Sequence, residues 1–102
     1  MRKDRRSVDI GALISRSPRI HTGHPVIAGT GVAVHRVAGW FKLGYNTEEI
    51  QRKLPHLSPA QVHAALAYYH ANREAIERIL NQEQADYDRL SAEFSPTAAT
   101  AA

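Results

Sequence analysis

The chain contains no cysteine among its 102 residues. A disulfide framework and a thiolate metal site are therefore excluded. No apolar run approaches the roughly 20 residues that a membrane-spanning helix needs. Basic residues 1–6 also lead into no apolar signal region. We expect a cytoplasmic protein without membrane association.

A catalytic arrangement is also missing. His56, His63 and His70 are seven residues apart, but a helix cap predicted at Ser58 leaves only His63 and His70 on one helix. Two turns separate them by about 10 Å, too far to chelate one ion without other ligands. Gly29-Thr30-Gly31 lacks the Gly-Lys-Ser/Thr ending of a phosphate loop. We expect no enzyme, no metal and no cofactor.

Acidic residues are scarce in the first half of the chain. Up to Lys53, ten Lys or Arg stand against four acids, a net charge of +6, whereas three Arg stand against six acids afterwards, a net charge of −3. The basic half could neutralise phosphates of a nucleic acid. A solvated surface with a disordered basic tail remains the alternative.

With 43% hydrophobic residues, the chain is long enough for one small domain. A core of this size stabilises only marginally. We therefore expect a homodimer.

Three helices follow one another from Val34 onward. The first carries an apolar face at positions i, i+3, i+4 and i+7 (Val34, Val37, Ala38 and Phe41) and ends near Leu43, before Gly44. The second begins after Asn46, which forms a capping box with Glu49, and ends near Lys53 because of Pro55. The third begins after Ser58, with Pro59 first and Gln61 completing a capping box. Two helices across a tight turn are the sequence signature of a helix-turn-helix.

Two short β-branched runs precede these helices, at residues 25–27 and 32–34. Gly29 and Gly31 lie between them and permit the positive φ angles of a tight hairpin. An isolated hairpin is marginal in water. We expect it to pair with another chain or to lie on the helices.

The third helix is the candidate DNA-reading element. Its predicted inward face is Val62, Ala65, Leu66 and Tyr69, which leaves Gln61, His63, Ala64, Ala67 and Tyr68 wholly or partly outward. Gln61 could read an adenine edge, but the helix has no Lys or Arg before Arg73. Packing alone is therefore an open alternative. The candidate DNA-binding residues are Arg36, Arg52, Lys53, Ser58, Gln61 and His63.

Beyond Tyr69 a heptad-like apolar stripe continues the helical pattern, interrupted by Glu83 and Gln84. The stripe is core if it folds back on its own domain or pairs in a homodimer. If it docks into a groove of another protein, it has the character of a toxin-neutralising tail. The candidate toxin-binding residues are Ile76, Ile79, Leu80, Tyr87, Leu90 and Phe94.

The order of these motifs resembles the Domain of Unknown Function 433 (DUF433) family over roughly residues 14–73. The resemblance is carried by residues 23–30 (GHPVIAGT), 32–34 (VAV), 44–50 (GYNTEEI), 54–62 (LPHLSPAQV) and 64–69 (AALAYY). It implies a homeodomain-like helix-turn-helix with an N-terminal β element. It also implies a VapB-like antitoxin whose toxin is a PIN-like nuclease. The family usually carries an Arg after Gly-Thr, where this chain has Gly31, so a contact made through that guanidinium is absent here or is supplied by a neighbour such as Arg36.

The predicted fold is thus mainly α, with a small N-terminal β element, a homeodomain-like three-helix helix-turn-helix and a C-terminal helical extension. The predicted parts are a basic flexible N-terminus (1–12), the β-arm and helix-turn-helix domain (13–73), an amphipathic helix (74–94) and a disordered tail (95–102). The expected function is an antitoxin that binds a PIN-like toxin and, as a dimer, operator DNA. A protein-interaction module or dimeric scaffold without DNA binding is the alternative.

Overall fold

Four helices and a two-stranded sheet make up the computed structural model of the chain, which describes residues 7–16 and 23–94. A short 3-10 helix (Ile10–Leu13) leads into β1 (Ile14–Ser15), and β2 (Val26–Ile27) follows. The helices are α1 (Val34–Lys42), α2 (Thr47–Lys53), α3 (Pro59–Ala71) and α4 (Arg73–Phe94). The predicted mainly helical chain with a small N-terminal β element is confirmed.

The predicted helix boundaries are confirmed. Local hydrogen bonds set these boundaries, and they form as the sequence indicates. The Asn46 side chain accepts from the Glu49 N–H at 2.8 Å, and the Glu49 carboxylate accepts from the Asn46 N–H at 2.9 Å. Ser58 and Gln61 form the same reciprocal pair at the start of α3. Gly44, with φ of +103°, follows α1. Each cap satisfies N–H or C=O groups that a helix end leaves without partners.

The strand that pairs with β2 differs from the one expected, which was residues 32–34. The turn forms as predicted, since Gly29 and Gly31 have φ of +75° and +73°. Only Ala33 then bridges Val26, because Ala33 is already the N-cap of α1. The strand that pairs with β2 is β1, in which Ile14 lies opposite Ile27. Residues 10–12, predicted to lie in a flexible terminus, belong instead to the 3-10 helix, whose Gly11 N–H donates to the Asp9 carboxylate.

Helix α3 lies at the centre of the domain and contacts α1, α2, α4, β1 and β2. The largest fully buried side chains come from almost every element, namely Ile27, Val34, Val37, Ile50, Leu57, Val62, Tyr69 and Ile76. The sheet therefore lies on the helices, which is one of the two placements expected for the predicted hairpin. Residues 1–6 and the predicted tail at 95–102 fall outside the described residues. Within the described part of the chain, no helix has the length and apolar character needed to cross a membrane.

Candidate functional site

Two of the predicted DNA-binding cations meet around one indole ring. Arg36 lies one helical turn before Trp40 on α1, and its guanidinium carbon is 5.2 Å from the Trp40 ring centre. The Lys53 ammonium, from the last turn of α2, lies 5.7 Å from the same ring and 4.5 Å from the Tyr45 ring. Such cation–π contacts hold long side chains in place while their charges stay near the surface. We call Arg36, Trp40, Tyr45 and Lys53 the Trp40 cluster.

Sequence reasoning missed the role of Trp40 in this cluster. The spacing between Arg36 and Trp40 is readable as an i, i+4 pair on a helix. Lys53, however, reaches the ring only through the packing of α2 against α1. Arg52 is exposed too, and lines a shallow depression with Glu48, Gln51 and Pro55. The three basic residues therefore belong to α1 and α2, not to α3.

The start of α3 is occupied by its own capping box. The Gln61 side-chain oxygen accepts from the Ser58 N–H at 2.7 Å, and the Ser58 hydroxyl accepts from the Gln61 N–H at 3.2 Å. Bidentate reading of adenine uses both the oxygen and the nitrogen of an amide side chain. In this conformation Gln61 has only its nitrogen free for that purpose. His63 is exposed.

The outward surface of α3 is narrower than expected. Val62, Ala65, Leu66 and Tyr69 are buried, as predicted. Ala64 was predicted outward but is only 6% exposed, because the 3-10 helix and β1 pack over that side of α3. The exposed strip consists of small or neutral residues, among them Ala60, His63, Ala67 and His70. Base reading from α3 would therefore depend on very few atoms.

The predicted toxin-binding stripe on α4 is divided into two parts. Ile76 is fully buried in the domain core, and Ile79 and Leu80 pack partly buried against it. Ile76 therefore has no surface to offer a partner in this structure. By contrast, Tyr87, Leu90 and Phe94 are 67%, 48% and 79% exposed. We call these three residues the distal stripe.

The two parts of the stripe are separated near Glu83, which contacts a buried histidine on α1. The Nε2 atom of His35, on α1, lies 2.8 Å from a carboxylate oxygen of Glu83. His35 is buried, and its Nδ1 atom has no partner among the described residues. The His24 ring packs edge-on against the His35 ring, with 5.5 Å between ring centres. Glu83, which interrupts the apolar pattern of α4, thus fastens that helix to α1.

A second polar contact holds the beginning of α4 against α3. The Tyr69 hydroxyl donates to the Glu77 carboxylate at 2.6 Å, and Lys42 and Arg73 lie 3.4 Å and 3.8 Å from that carboxylate. The hydrogen bond to Glu77, with burial, raises the pKa of Tyr69 above its ordinary 10.0. The same bond, helped by the two cations, lowers the pKa of Glu77 below its ordinary 4.5.

A groove of about 820 Å³ runs between α1 and α4. The two helices are antiparallel, since residues 35, 39 and 42 of α1 meet residues 83, 80 and 77 of α4 in that order. The groove walls include Trp40, Leu43 and Leu80, and Arg36 lies on its rim. Leu43 is 76% exposed at one end. The lining also includes Lys42, Asn81, Glu83 and Gln84, so the groove combines apolar, basic and acidic side chains.

No group of three His, Cys, Asp or Glu within residues 7–16 and 23–94 is arranged to hold a metal ion. The predicted DNA-binding residues lie on α1, on α2 and at the start of α3, and the predicted toxin-binding residues that are largely exposed form the distal stripe.

Comparison with known proteins identifies relatives of this domain. A family model described as "Protein of unknown function (DUF433)" matches residues 14–69. The crystal structure of a DUF433 member protein from Anabaena variabilis ATCC 29413 is similar, with 26% sequence identity and a TM-score of 0.64. That similarity covers 69% of this chain and 69% of the other. No curated protein shows a significant match.

Proposed function

This chain belongs to the DUF433 family. We propose that the chain acts as a VapB-like antitoxin in the cytoplasm. In this proposal the distal stripe binds and neutralises a PIN-like nuclease. The basic residues of α1 and α2 hold operator DNA, and α2 and α3 form a homeodomain-like helix-turn-helix. The chain works by binding and needs no catalytic residue of its own.

The exposed distal stripe is the observation that carries this proposal. Tyr87, Leu90 and Phe94 recur at intervals of three and four residues, so they share one side of α4. Isolated exposed apolar residues are ordinary, but a row of three large ones at the end of a helix favours a binding surface. Asp86, Asp88 and Glu93 accompany them. An amphipathic helix of this kind fits an apolar groove with a basic rim on a partner protein.

A metal-dependent nuclease explains why such a tail would be acidic. Its active site concentrates cations around acidic ligands, and the RNA-binding surface that surrounds it is basic. A negatively charged helix laid across that surface would exclude the RNA. The helix contributes three acids and one Arg over its last nine residues, 86–94.

The DNA-binding part of the proposal rests on the Trp40 cluster and Arg52. Phosphate contacts position a protein on DNA, and exposed Arg and Lys side chains supply most of them. Arg36, Arg52 and Lys53 are exposed. Because the exposed strip of α3 carries no Lys or Arg, most of the binding energy would be sequence-independent, and His63 would be the main side chain of α3 to reach a base.

The direct test uses the protein encoded beside this chain's gene. That protein, purified as an active ribonuclease, should lose RNA cleavage when the wild-type chain is added. Leu90→Asp and Phe94→Asp should each weaken the inhibition at least tenfold, because a charge would enter the contact. Ala92→Asp, which adds the same charge at an exposed position on the opposite side of the same helix, should inhibit as the wild type does. A wild-type chain that leaves cleavage unchanged would overturn the antitoxin function.

The second candidate is an interaction module or dimeric scaffold that does not bind DNA. It is favoured by the capping box of α3, which occupies Ser58 and the oxygen of Gln61. Fluorescence anisotropy with the chain's own upstream DNA at low salt separates the two candidates. Measurable binding supports the antitoxin that also binds an operator, and its absence supports the scaffold.

A further inference from the structure

The distal stripe and the groove between α1 and α4 are complementary parts of one surface. The α4 wall of the groove contains Leu80 and Gln84. Continuing along the helix from Leu80, the same side carries Tyr87 and Phe94, because residues seven apart lie at nearly the same angle. Each copy of the chain therefore presents an apolar helical segment next to a groove that combines the apolar Trp40, Leu43 and Leu80 with polar and charged side chains.

We propose that, in the free protein, two copies pair through a twofold axis, so that the distal stripe of each fills the groove of the other. The two α4 helices would cross antiparallel near residue 85. Leu90 of each copy would then lie against Leu80 and Gly39 of the other, and Phe94 would lie against Leu43 and Trp40. Such an interface is isologous and closes on itself.

The incoming helical segment and the groove have similar lengths. Residues 84–94 form about three turns of helix, some 15 Å long at about 1.5 Å per residue. Helix α1, which supplies the opposite wall, has nine residues and extends over about 13 Å by the same rise. Gly39 adds no side chain to the groove floor, where a Cβ atom would stand 3.5 Å from Leu80. The incoming helix would therefore run alongside α1 over nearly its whole length.

Charge favours a second copy as the occupant. The rim of the groove carries Arg36, and Lys53 lies beside Trp40. The incoming segment carries Asp86 near its start and Glu93 near its end. In the antiparallel arrangement Asp86 would approach Arg36, and Glu93 would approach Lys53. Opposite charges at an interface fix register and orientation.

The pairing also covers the surface that the free chain otherwise leaves exposed. It goes beyond the proposed function and does not depend on it, since it concerns the free chain. Because the dimer engages Arg36 and Lys53, operator DNA would have to displace the second copy from these two side chains. If the chain is an antitoxin, its nuclease must displace the second copy. The apparent affinity for the nuclease would then fall as the concentration of the free chain rises.

Sedimentation equilibrium of the full-length chain tests the proposal without any other protein. The wild type should show a concentration-dependent mass approaching twice its 11.3 kDa. Phe94→Glu should raise the dimer dissociation constant at least tenfold while far-ultraviolet circular dichroism stays unchanged. Val8→Glu, at a residue 63% exposed outside this surface, should leave the constant unchanged. A wild type that stays monomeric, or a dimer broken by Val8→Glu and not by Phe94→Glu, would overturn the proposal.

Two further variants test the register. Arg36→Glu should weaken the dimer, and the double change Arg36→Glu with Asp86→Arg should restore it, because the pair is reversed. Since the chain has no cysteine, Gln84→Cys should form a disulfide-linked dimer under mild oxidation, while Arg89→Cys, on another side of α4, should not. Failure of both the restoration and the selective cross-link would rule out this geometry.

Discussion

The Tyr69 hydroxyl donates a hydrogen bond to the Glu77 carboxylate at 2.6 Å and so joins the last turn of α3 to the beginning of α4. Tyr69 is buried, and its ring also contacts Phe41, with 6.3 Å between ring centres, while the Arg73 guanidinium lies over it at 5.0 Å. The helix that carries the distal stripe is thus anchored in the core by a titratable pair.

Acid should weaken this anchor. The pKa of Glu77 is lower in the folded chain than its ordinary 4.5, so the unfolded chain binds more protons. The stabilising contribution of the ionised Glu77 is present above about pH 4.5. It is lost as the pH falls through the pKa that Glu77 has in the folded chain. Glu77→Gln and Tyr69→Phe should each give a shallower fall of melting temperature below pH 4.5. Two variants that both follow the wild-type slope would contradict this role.

The capping box of α3 should contribute measurably to stability. Ser58→Ala removes the hydroxyl that accepts from the Gln61 N–H and should lower the free energy of unfolding by about 1 kcal/mol. Ser91→Ala is a matched control, because Ser91 is exposed within α4. Urea denaturation measures both. Equal midpoints for the two variants would show that the cap adds nothing.

Gly31 should resist substitution for a reason of backbone geometry alone. Nothing lies within 4 Å of where its Cβ would be, but its φ is +73°. Gly31→Ala should therefore cost about 1 kcal/mol of unfolding free energy, and Gly31→Asn less, since Asn adopts this conformation more readily. Gly11→Ala, at a glycine without positive φ, is the control. Thermal melts that rank Ala at or above Asn at position 31 would count against this explanation.

The basic residues of α1 and α2 should set the salt dependence of DNA binding. Removing one phosphate-binding side chain reduces the slope of log K against log salt by about 0.9. Arg36→Ala, Arg52→Ala and Lys53→Ala should each show a reduction of that size with the upstream DNA, and Arg89→Ala should show none. Unchanged slopes in all three variants would remove these side chains from the interface.

Glu83 should control the mobility of the end of α4. Glu83→Ala removes the contact to His35, so the turns after residue 83 should exchange their amide hydrogens faster, while α3 keeps its protection. Asn81→Ala, at an exposed neighbour, is the comparison. Mass-spectrometric hydrogen exchange measures both variants. Identical exchange after residue 83 would mean that the contact does not restrain the helix.

Features that depend on neighbours in sequence were predictable. The caps at Asn46 and Ser58 and the turn through Gly29 and Gly31 involve atoms no more than a few residues apart, and all of them form. The three-residue spacing of a capping box is visible in any sequence because the helix geometry that requires it is always the same.

Features that depend on distant contacts were not predictable. Ile14 pairs with Ile27, although Ile14 and Ser15 carry no strand pattern in the sequence. Ala64 looks like an outward residue until β1 and the 3-10 helix cover it. Glu83 reads as a break in an apolar stripe, and its partner His35 is 48 positions away. A periodic pattern shows which side of a helix is apolar, but not which neighbour covers it.

Gly39 determines where the end of α4 points. A Cβ atom there would stand 3.5 Å from Leu80, so alanine could be accommodated, whereas a branched side chain would force the two helices apart. Phe94 lies 14 residues beyond Leu80, about 21 Å along the axis at about 1.5 Å per residue. A tilt of α4 by a few degrees about the contact between Gly39 and Leu80 would move Phe94 by more than an ångström. The contact between Gly39 and Leu80 therefore sets the direction of the exposed apolar end of α4.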